Sequence, residues 1–213
     1  MTESPVSSPD ETARPAIRTH AYQAIGPRDE QQDAYAIEPH CAVIADGMGG
    51  HDGGAEAAQA AVAAVLLELG EGGDRDALES AFSWACREVR AASPGGTTLV
   101  VLDFASGLLA WVGDSRAYLV RDGEAKLLTD DHVAEDGGLT RWIPDEGVPD
   151  FVALDLQSGD RVVLCTDGVT GVLEEADIAA AALEADDPAE WLVEQALSEG
   201  TWDNCTAVVC TVG

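Results

Sequence analysis

Val43-Ile44-Ala45-Asp46-Gly47-Met48-Gly49-Gly50-His51 is the stretch that decides how this chain is read. Val43 to Ala45 is apolar and predicts the end of a buried strand. Asp46 follows, with glycines at 47, 49 and 50, where the backbone can approach a ligand closely or take positive φ. A carboxylate at a strand end, beside carbonyls that no side chain shields, suits a hard divalent cation. An Asp-Gly pair is also a common hairpin turn. The next segment argues against a hairpin here. Ala58, Ala61, Val62, Val65, Leu66 and Leu69 form a helical stripe, not a partner strand. Asp46 therefore stands at an open strand end, ahead of a helix.

Outward from this stretch, the chain alternates between strand-like and helix-like blocks. Ile17 to Ile25 and Ala34 to Ile37 read as strands on either side of the polar turn Gly26 to Asp33. Helices are predicted over about Gly53–Leu69 and Arg75–Ala92, and Ser93-Pro94-Gly95-Gly96 ends the second. Thr97 to Phe104 and Leu108 to Val112 are β-branched or apolar and read as central strands. Ala117 to Val120 and Ala125 to Leu128 flank Asp122-Gly123, which, unlike Asp46-Gly47, is a hairpin turn. Asp131 to Asp150 is polar and aperiodic, a surface loop with at most one turn of helix. Phe151 to Leu156 and Arg161 to Cys165 are strands. Two helices follow, over about Glu175–Leu183 and from Asp187-Pro188, an N-cap with proline at the first helical position. Gly200 closes the last helix, and Cys205 to Val212 is the final strand. Two amphipathic helix pairs need two sheet faces to cover, which predicts an α+β, four-layer αββα sandwich of two mainly antiparallel sheets.

Composition limits the rest. The 213 residues suit one domain, taken as residues 15–213 after a disordered Ser-, Pro- and acid-rich tail over 1–14. No apolar run reaches the length of a membrane span, and the N-terminus shows no signal-peptide pattern. Five cysteines, mostly inside apolar runs, read as reduced core residues of a cytoplasmic protein. With 40 acids against 11 Lys+Arg, the formal charge of −29 makes nucleic acid and anionic membrane poor partners.

Asp33, Asp46, Asp114, Asp167 and Asp203 share one context: each begins or ends a strand. Taken singly, each reads as a turn or cap aspartate. Together, with no Cys or His cluster, they form an all-oxygen donor set that selects Mg²⁺ or Mn²⁺ over zinc. Two such ions suit phosphoester hydrolysis. Arg28, close to Asp33 in sequence, offers a fork for phosphate oxygens.

The motifs resemble the metal-dependent protein serine/threonine phosphatases of the PPM or PP2C type. Arg28-x-x-Gln31-Gln32-Asp33 is similar to the family's opening motif, and Asp46-Gly47-Met48-Gly49-Gly50-His51 to the bacterial form of its signature. Gly96-Thr97-Thr98, Val112-Gly113-Asp114-Ser115-Arg116, Leu128-Thr129-Asp130-Asp131-His132, Ser158-Gly159-Asp160, Cys165-Thr166-Asp167-Gly168 and Asp203-Asn204-Cys205-Thr206 follow in the family's order. The resemblance implies metals at one end of the sandwich. Asp46 would bridge two of them, and the Gly47 carbonyl, Asp33, Asp167 and Asp203 would complete the shell. Asp114, with Asp167, would hold a weaker third metal. Arg28 would hold the phosphate while a metal-bridged hydroxide attacks phosphorus directly. The implied substrates are phosphorylated proteins, opposing a Ser/Thr kinase, with the phosphatase acting as a monomer.

The chain departs from that pattern at two places. Met48 stands where eukaryotic members carry a candidate general-acid His; His51 is nearby but not equivalent. The segment from His132 to Gly159 is shorter than in typical bacterial members, where a flap is inserted, and it predicts an open cleft with little selection for sequence. An alternative is a catalytically weak phosphopeptide-binding regulatory module of the same fold.

Overall fold

A computed structural model describes residues 16–49, 53–145 and 147–213 of the chain. The tail expected over residues 1–14, and His51, lie outside the described residues. In chain order the elements are β1 (Ile17–Ala24), β2 (Ala34–Glu38), β3 (Cys41–Ala45), β4 (Gly47–Met48), α1 (Gly54–Leu69), α2 (Arg75–Ala92), β5 (Gly96–Thr97), β6 (Leu99–Asp103), β7 (Leu108–Val112), β8 (Arg116–Arg121), β9 (Glu124–Leu127), β10 (Asp150–Ala153), β11 (Arg161–Cys165), α3 (Asp167–Thr170), α4 (Glu175–Glu184), α5 (Pro188–Ser198) and β12 (Cys205–Val212). Two antiparallel five-stranded sheets, β1-β12-β11-β8-β9 and β10-β7-β6-β3-β2, make the centre.

Strand pleating assigns the layers. Successive side chains on a strand point to opposite faces. On β3, Cys41, Val43 and Ala45 pack beneath α1 and α2, while Ala42 and Ile44 pack between the sheets. On β12, Cys205, Ala207 and Val209 face the helices α4 and α5, while Val208 and Cys210 face the other sheet. Strands buried on both faces read as unbroken apolar runs, and each fully buried Val or Leu contributes about 1.5–3 kcal/mol. The result is the expected αββα sandwich, with three apolar layers between four structural ones. All five cysteines are free and buried in it.

Local signals set the boundaries. Asp74 caps α2 by accepting from the Ala77 amide at 3.1 Å, and Asp187 caps α5 by accepting from Glu190 at 3.2 Å. Asp122 and Gly123, at φ 54° and 88°, turn the β8–β9 hairpin, because a two-residue turn of that hand needs positive φ.

Three features differ from the sequence expectation. Met48 and Gly47 pair with Gly96 and Thr97 in a two-stranded ribbon, and the expected strand from Thr97 is split by it. Asp167 opens a single helical turn directly after β11. The loop from Asp131 to Asp150 is only partly on the surface. Its Ile143 is fully buried in the layer under α1 and α2 and bridges back to Thr97. One apolar residue in a polar stretch has no period to reveal it.

Candidate active site

Antiparallel register brings the five aspartates to one end of the sandwich. Ala34 pairs with Ala45, so Asp33 before β2 lies beside Asp46 after β3. Leu99 pairs with Val112, which sets Asp114 next to the start of β6. In the other sheet Cys165 pairs with Ala207, so Asp167 and Asp203 share the same end.

Asp33 joins the two sheets. It is 6% exposed, and its Oδ2 accepts from Thr166 Oγ1 at 2.9 Å and Thr206 Oγ1 at 2.7 Å. Its Oδ1 is buried with no partner. Burial pushes this carboxyl up to about 7, with Asp167 and Asp203 adding to the rise against the pull of the two hydroxyls.

Asp46 is held through its backbone. Its amide donates to Thr98 Oγ1, and its carbonyl accepts from Thr97 Oγ1 and the Thr98 amide, all at 2.9 Å. The side chain is partly exposed at the pocket mouth, yet burial and the like charges of Asp33, Asp167, Asp203 and Asp114 hold its carboxyl well above the usual range. Gly47 is buried between two chain segments. A Cβ there would lie 2.2 Å from the Gly54 carbonyl oxygen and 2.5 Å from that of Gln32, so no other residue fits.

Asp167 begins α3. Its Oδ1 is buried and unpartnered. Burial raises its carboxyl to about 6, reinforced by Asp114 and Asp203 and opposed by a hydrogen bond with Asp46 and by Arg28. Asp114 follows Gly113, whose φ of 110° and tight contact with Thr98 shape the turn. Burial raises the Asp114 carboxyl, and Asp131 adds to the rise. The Gly113 amide donates to His132 Nδ1 at 3.0 Å, and the His132 amide donates back to the Gly113 carbonyl at 3.1 Å.

Arg28 stands at the rim and donates to Asp203 Oδ2 at 2.5 Å. Asn204, next to Asp203, ties the whole Arg28 loop down. Its Oδ1 accepts from the Gln32 amide at 2.8 Å, and its Nδ2 donates to the carbonyls of Ile25 at 2.8 Å and Glu30 at 2.9 Å. Sequence reading singled out the six charged residues and Gly47, and the structure gathers them. The brackets Asn204, Thr166, Thr206 and Thr98 carry the geometry equally; they stand in the motifs quoted above, where the sequence assigns them no role.

Among the described residues, no three carboxylate, thiolate or imidazole groups close around one point as a finished metal cage. Asp33 is turned to threonines and Asp203 to Arg28. The donor set nevertheless fits hard divalent cations. It is all oxygen, two of its buried oxygens have no partner, and burial, reinforced by neighbouring like charge, raises the carboxyls of Asp33, Asp46 and Asp167.

A four-layer αββα sandwich with a carboxylate pocket where its two sheets end defines a class of protein. The chain belongs to the protein phosphatase 2C family, whose family model matches residues 23–198. It is 32% identical over 222 residues to the serine/threonine protein phosphatase PstP of Mycobacterium tuberculosis, a match covering 87% of this chain and 43% of PstP. The chain thus spans less than half the length of that relative. It is 27% identical over 208 residues to the serine/threonine phosphatase stp of Listeria welshimeri, covering 78% of this chain and 82% of stp. Among solved structures, the PPM Ser-Thr phosphatase MsPP of Mycobacterium smegmatis, in complex with cacodylate, superposes with a TM-score of 0.82 at 29% identity over 93% of this chain and 100% of MsPP. The catalytic domain of PstP in complex with two manganese ions gives 0.77 at 30% identity over 92% of this chain and 98% of that domain.

Proposed function

We propose that this chain is a metal-dependent phosphatase for phosphoserine and phosphothreonine in proteins. The observation that carries the reading is one end of the sandwich where Asp33, Asp46, Asp114, Asp167 and Asp203 meet, burial and neighbouring charge hold the Asp33, Asp46 and Asp167 carboxyls above the usual range, two buried oxygens lack partners, and an arginine stands at the rim. The names of the relatives and the two manganese ions of the PstP catalytic domain support it.

Asp33, Asp46, Asp167, Asp203 and the Gly47 carbonyl would hold two Mg²⁺ or Mn²⁺ ions, and Asp114 with Asp167 a third. When bound, the cations supply Lewis-acid activation of water for direct attack on phosphorus. The chain's own residues do the rest. Arg28, 45% exposed at its side chain, presents a planar fork to the phosphate oxygens. Thr166 and Thr206 fix the Asp33 carboxylate, and Asn204 fixes the loop from which Arg28 reaches in. Met48 is a thioether and has no proton to give the leaving oxygen.

The substrates are phosphorylated proteins opposing a Ser/Thr kinase, met by a monomer in the cytoplasm. The net charge disfavours nucleic acid and anionic lipid. No helix among the described residues is long and apolar enough to cross a membrane.

Hydrolysis of an aryl phosphate and of a phosphothreonine peptide, with Mn²⁺ and after chelation, tests the reading. Turnover that requires Mn²⁺ supports it. Phosphopeptide binding without turnover would favour a catalytically weak binding module, in which Arg28 stays paired with Asp203.

A further inference from the structure

A groove that starts two residues past Asp46 runs along the C-terminal half of α2. It consists of two clefts, of about 500 and 470 Å³, that share Arg90, Pro144 and Asp145. The nearer cleft begins at Met48 and Gly49, just beyond Asp46, and Trp142 lines it. The farther one passes Arg87 and reaches the exposed Val148. The loop that carries Trp142, Pro144 and Val148 forms one wall, and α2 forms the other.

The charge along the α2 wall is unusual for this protein. Arg87 and Arg90 are exposed and lie three residues apart, on neighbouring turns of one helix face. Arg87 stacks over Trp84 at 4.6 Å, and Arg90 donates to the Pro144 carbonyl at 2.6 Å. Neither contact supplies a negative charge. Among the described residues neither has a carboxylate at ion-pair distance, whereas Arg28, Arg75, Arg116, Arg121 and Arg141 each do. In a chain with 40 acids and 11 Lys+Arg, two adjacent arginines with no ion pair among the described residues mark a place for an anion from outside, although Glu79 and Asp145 also line the clefts.

We propose that this groove receives the substrate polypeptide on one side of the phosphorylated residue, and that Arg87 and Arg90 select an acidic side chain there. The proposal rests on the phosphatase reading above. Because the groove leaves the pocket in one direction, the preference falls on one flank only. The step from Asp46 to Gly49 and the helical rise from Ser93 back to Arg87 place the selected acid about three to five residues from the phosphorylated one. Trp142, Pro144 and Val148 offer apolar contact to the intervening chain. The short segment from His132 to Gly159, expected to leave selection weak, instead opens this groove to the substrate. Specificity needs contacts that differ between substrates, and the two arginines supply them.

The test uses the full chain with Mn²⁺ and three phosphothreonine peptides: acidic residues on the N-terminal flank, on the C-terminal flank, or on neither. An aryl phosphate, too small to reach the groove, is the control. Wild type is expected to favour one acidic peptide about tenfold in kcat/KM. Arg87→Ala and Arg90→Ala should each reduce that preference, and Arg87→Glu should abolish it, with aryl phosphate turnover unchanged within about twofold. No preference in wild type, a preference for both flanks, or a preference that survives Arg87→Glu would overturn the proposal, as would equal losses on the aryl phosphate. Among the described residues Arg87 makes no hydrogen bond or ion pair to the loop, so its variants decide the matter if Arg90→Ala loses stability. Wild type that hydrolyses nothing would refute the phosphatase reading instead. The groove is then judged by fluorescence anisotropy with phosphonate peptides, where one acidic peptide must bind wild type more tightly than Arg87→Glu for the assignment to stand.

Discussion

Arg28 and Asp203, 175 residues apart in sequence, meet in a 2.5 Å hydrogen bond at the rim of the carboxylate pocket. The approach is built into the backbone as well. Gly26 lies so close to the Asp203 carbonyl that a Cβ would stand 2.3 Å from its oxygen. The pair gives Asp203 a direct ion-pair partner, whereas Arg28 acts on Asp167 only through its charge. Arg28 thus touches a carboxylate assigned to cation binding while remaining exposed enough to turn outward.

Replacing Arg28 by Ala removes both a rival for Asp203 and a fork for phosphate. A lost charge-assisted hydrogen bond is worth about 1.5–3 kcal/mol, so KM for a phosphopeptide should rise roughly ten- to a hundredfold. Inhibition by free phosphate should weaken. Apparent Mn²⁺ affinity, measured by calorimetry, should stay level or improve. A marked loss of Mn²⁺ binding would show instead that Arg28 organises the metal ligands.

Asp46→Asn should separate activity from stability. Turnover should drop by several kcal/mol of barrier, about a thousandfold or more, because the central ligand is weakened. The metal-free protein should melt higher than wild type, because one of the mutually repelling carboxylates is gone. Near wild-type rate with Mn²⁺ would remove Asp46 from the site, and an unchanged or lower Tm in chelator would contradict the repulsion.

The raised carboxyls of Asp33 and Asp167, at about 7 and about 6, set a pH dependence for the metal-free protein. Unfolded aspartates release their protons near about 3.9, so between that value and about 7 the folded state binds more protons. Stability therefore declines as pH rises through this window. Asp150 and Asp160 are shifted downward, and their contribution is lost only at lower pH. In chelator, Tm should be lower at about pH 8 than at about pH 5, and saturating Mn²⁺ should remove most of the difference. A metal-free Tm that climbs between those pH values would rule out the strained cluster.

Asp114→Asn addresses a third cation. The Gly113 turn is clamped by His132 in both directions, so the variant should fold normally. Calorimetry should still find two tight Mn²⁺ sites, because Asp33, Asp46 and Asp203 do not depend on Asp114. Turnover should fall by about tenfold or more, since one carboxylate with waters holds such an ion loosely and the step it serves is then unsupported. Loss of the tight sites would place Asp114 in the core pair; unchanged binding and rate would leave it a turn residue.

Local pattern is enough to locate the longer strands and helices and the class of fold, though not the β4–β5 ribbon or α3. Strands such as Cys41–Ala45 and Cys205–Val212 are buried on both faces, so they are apolar throughout. Helices such as α2 carry one apolar stripe and their own caps, which are local and periodic properties. Asp46 was recognisable because the residues after it form a helix, and Asp122 because those after it form a strand. Which ends meet is settled by long-range packing. No period or spacing brings Asp33 to Thr166 and Thr206, Arg28 to Asp203, or Asn204 to Ile25 and Glu30. Those contacts follow from antiparallel register and from packing two sheets face to face. Ile143 was hidden for the same reason, as one side chain filling a gap far away in sequence. The unusual proton affinities of the aspartates and the groove beside Arg87 and Arg90 also belong to the assembled molecule. Burial, repulsion and surface shape are properties of neighbours in space, whereas a sequence displays directly only neighbours along the chain.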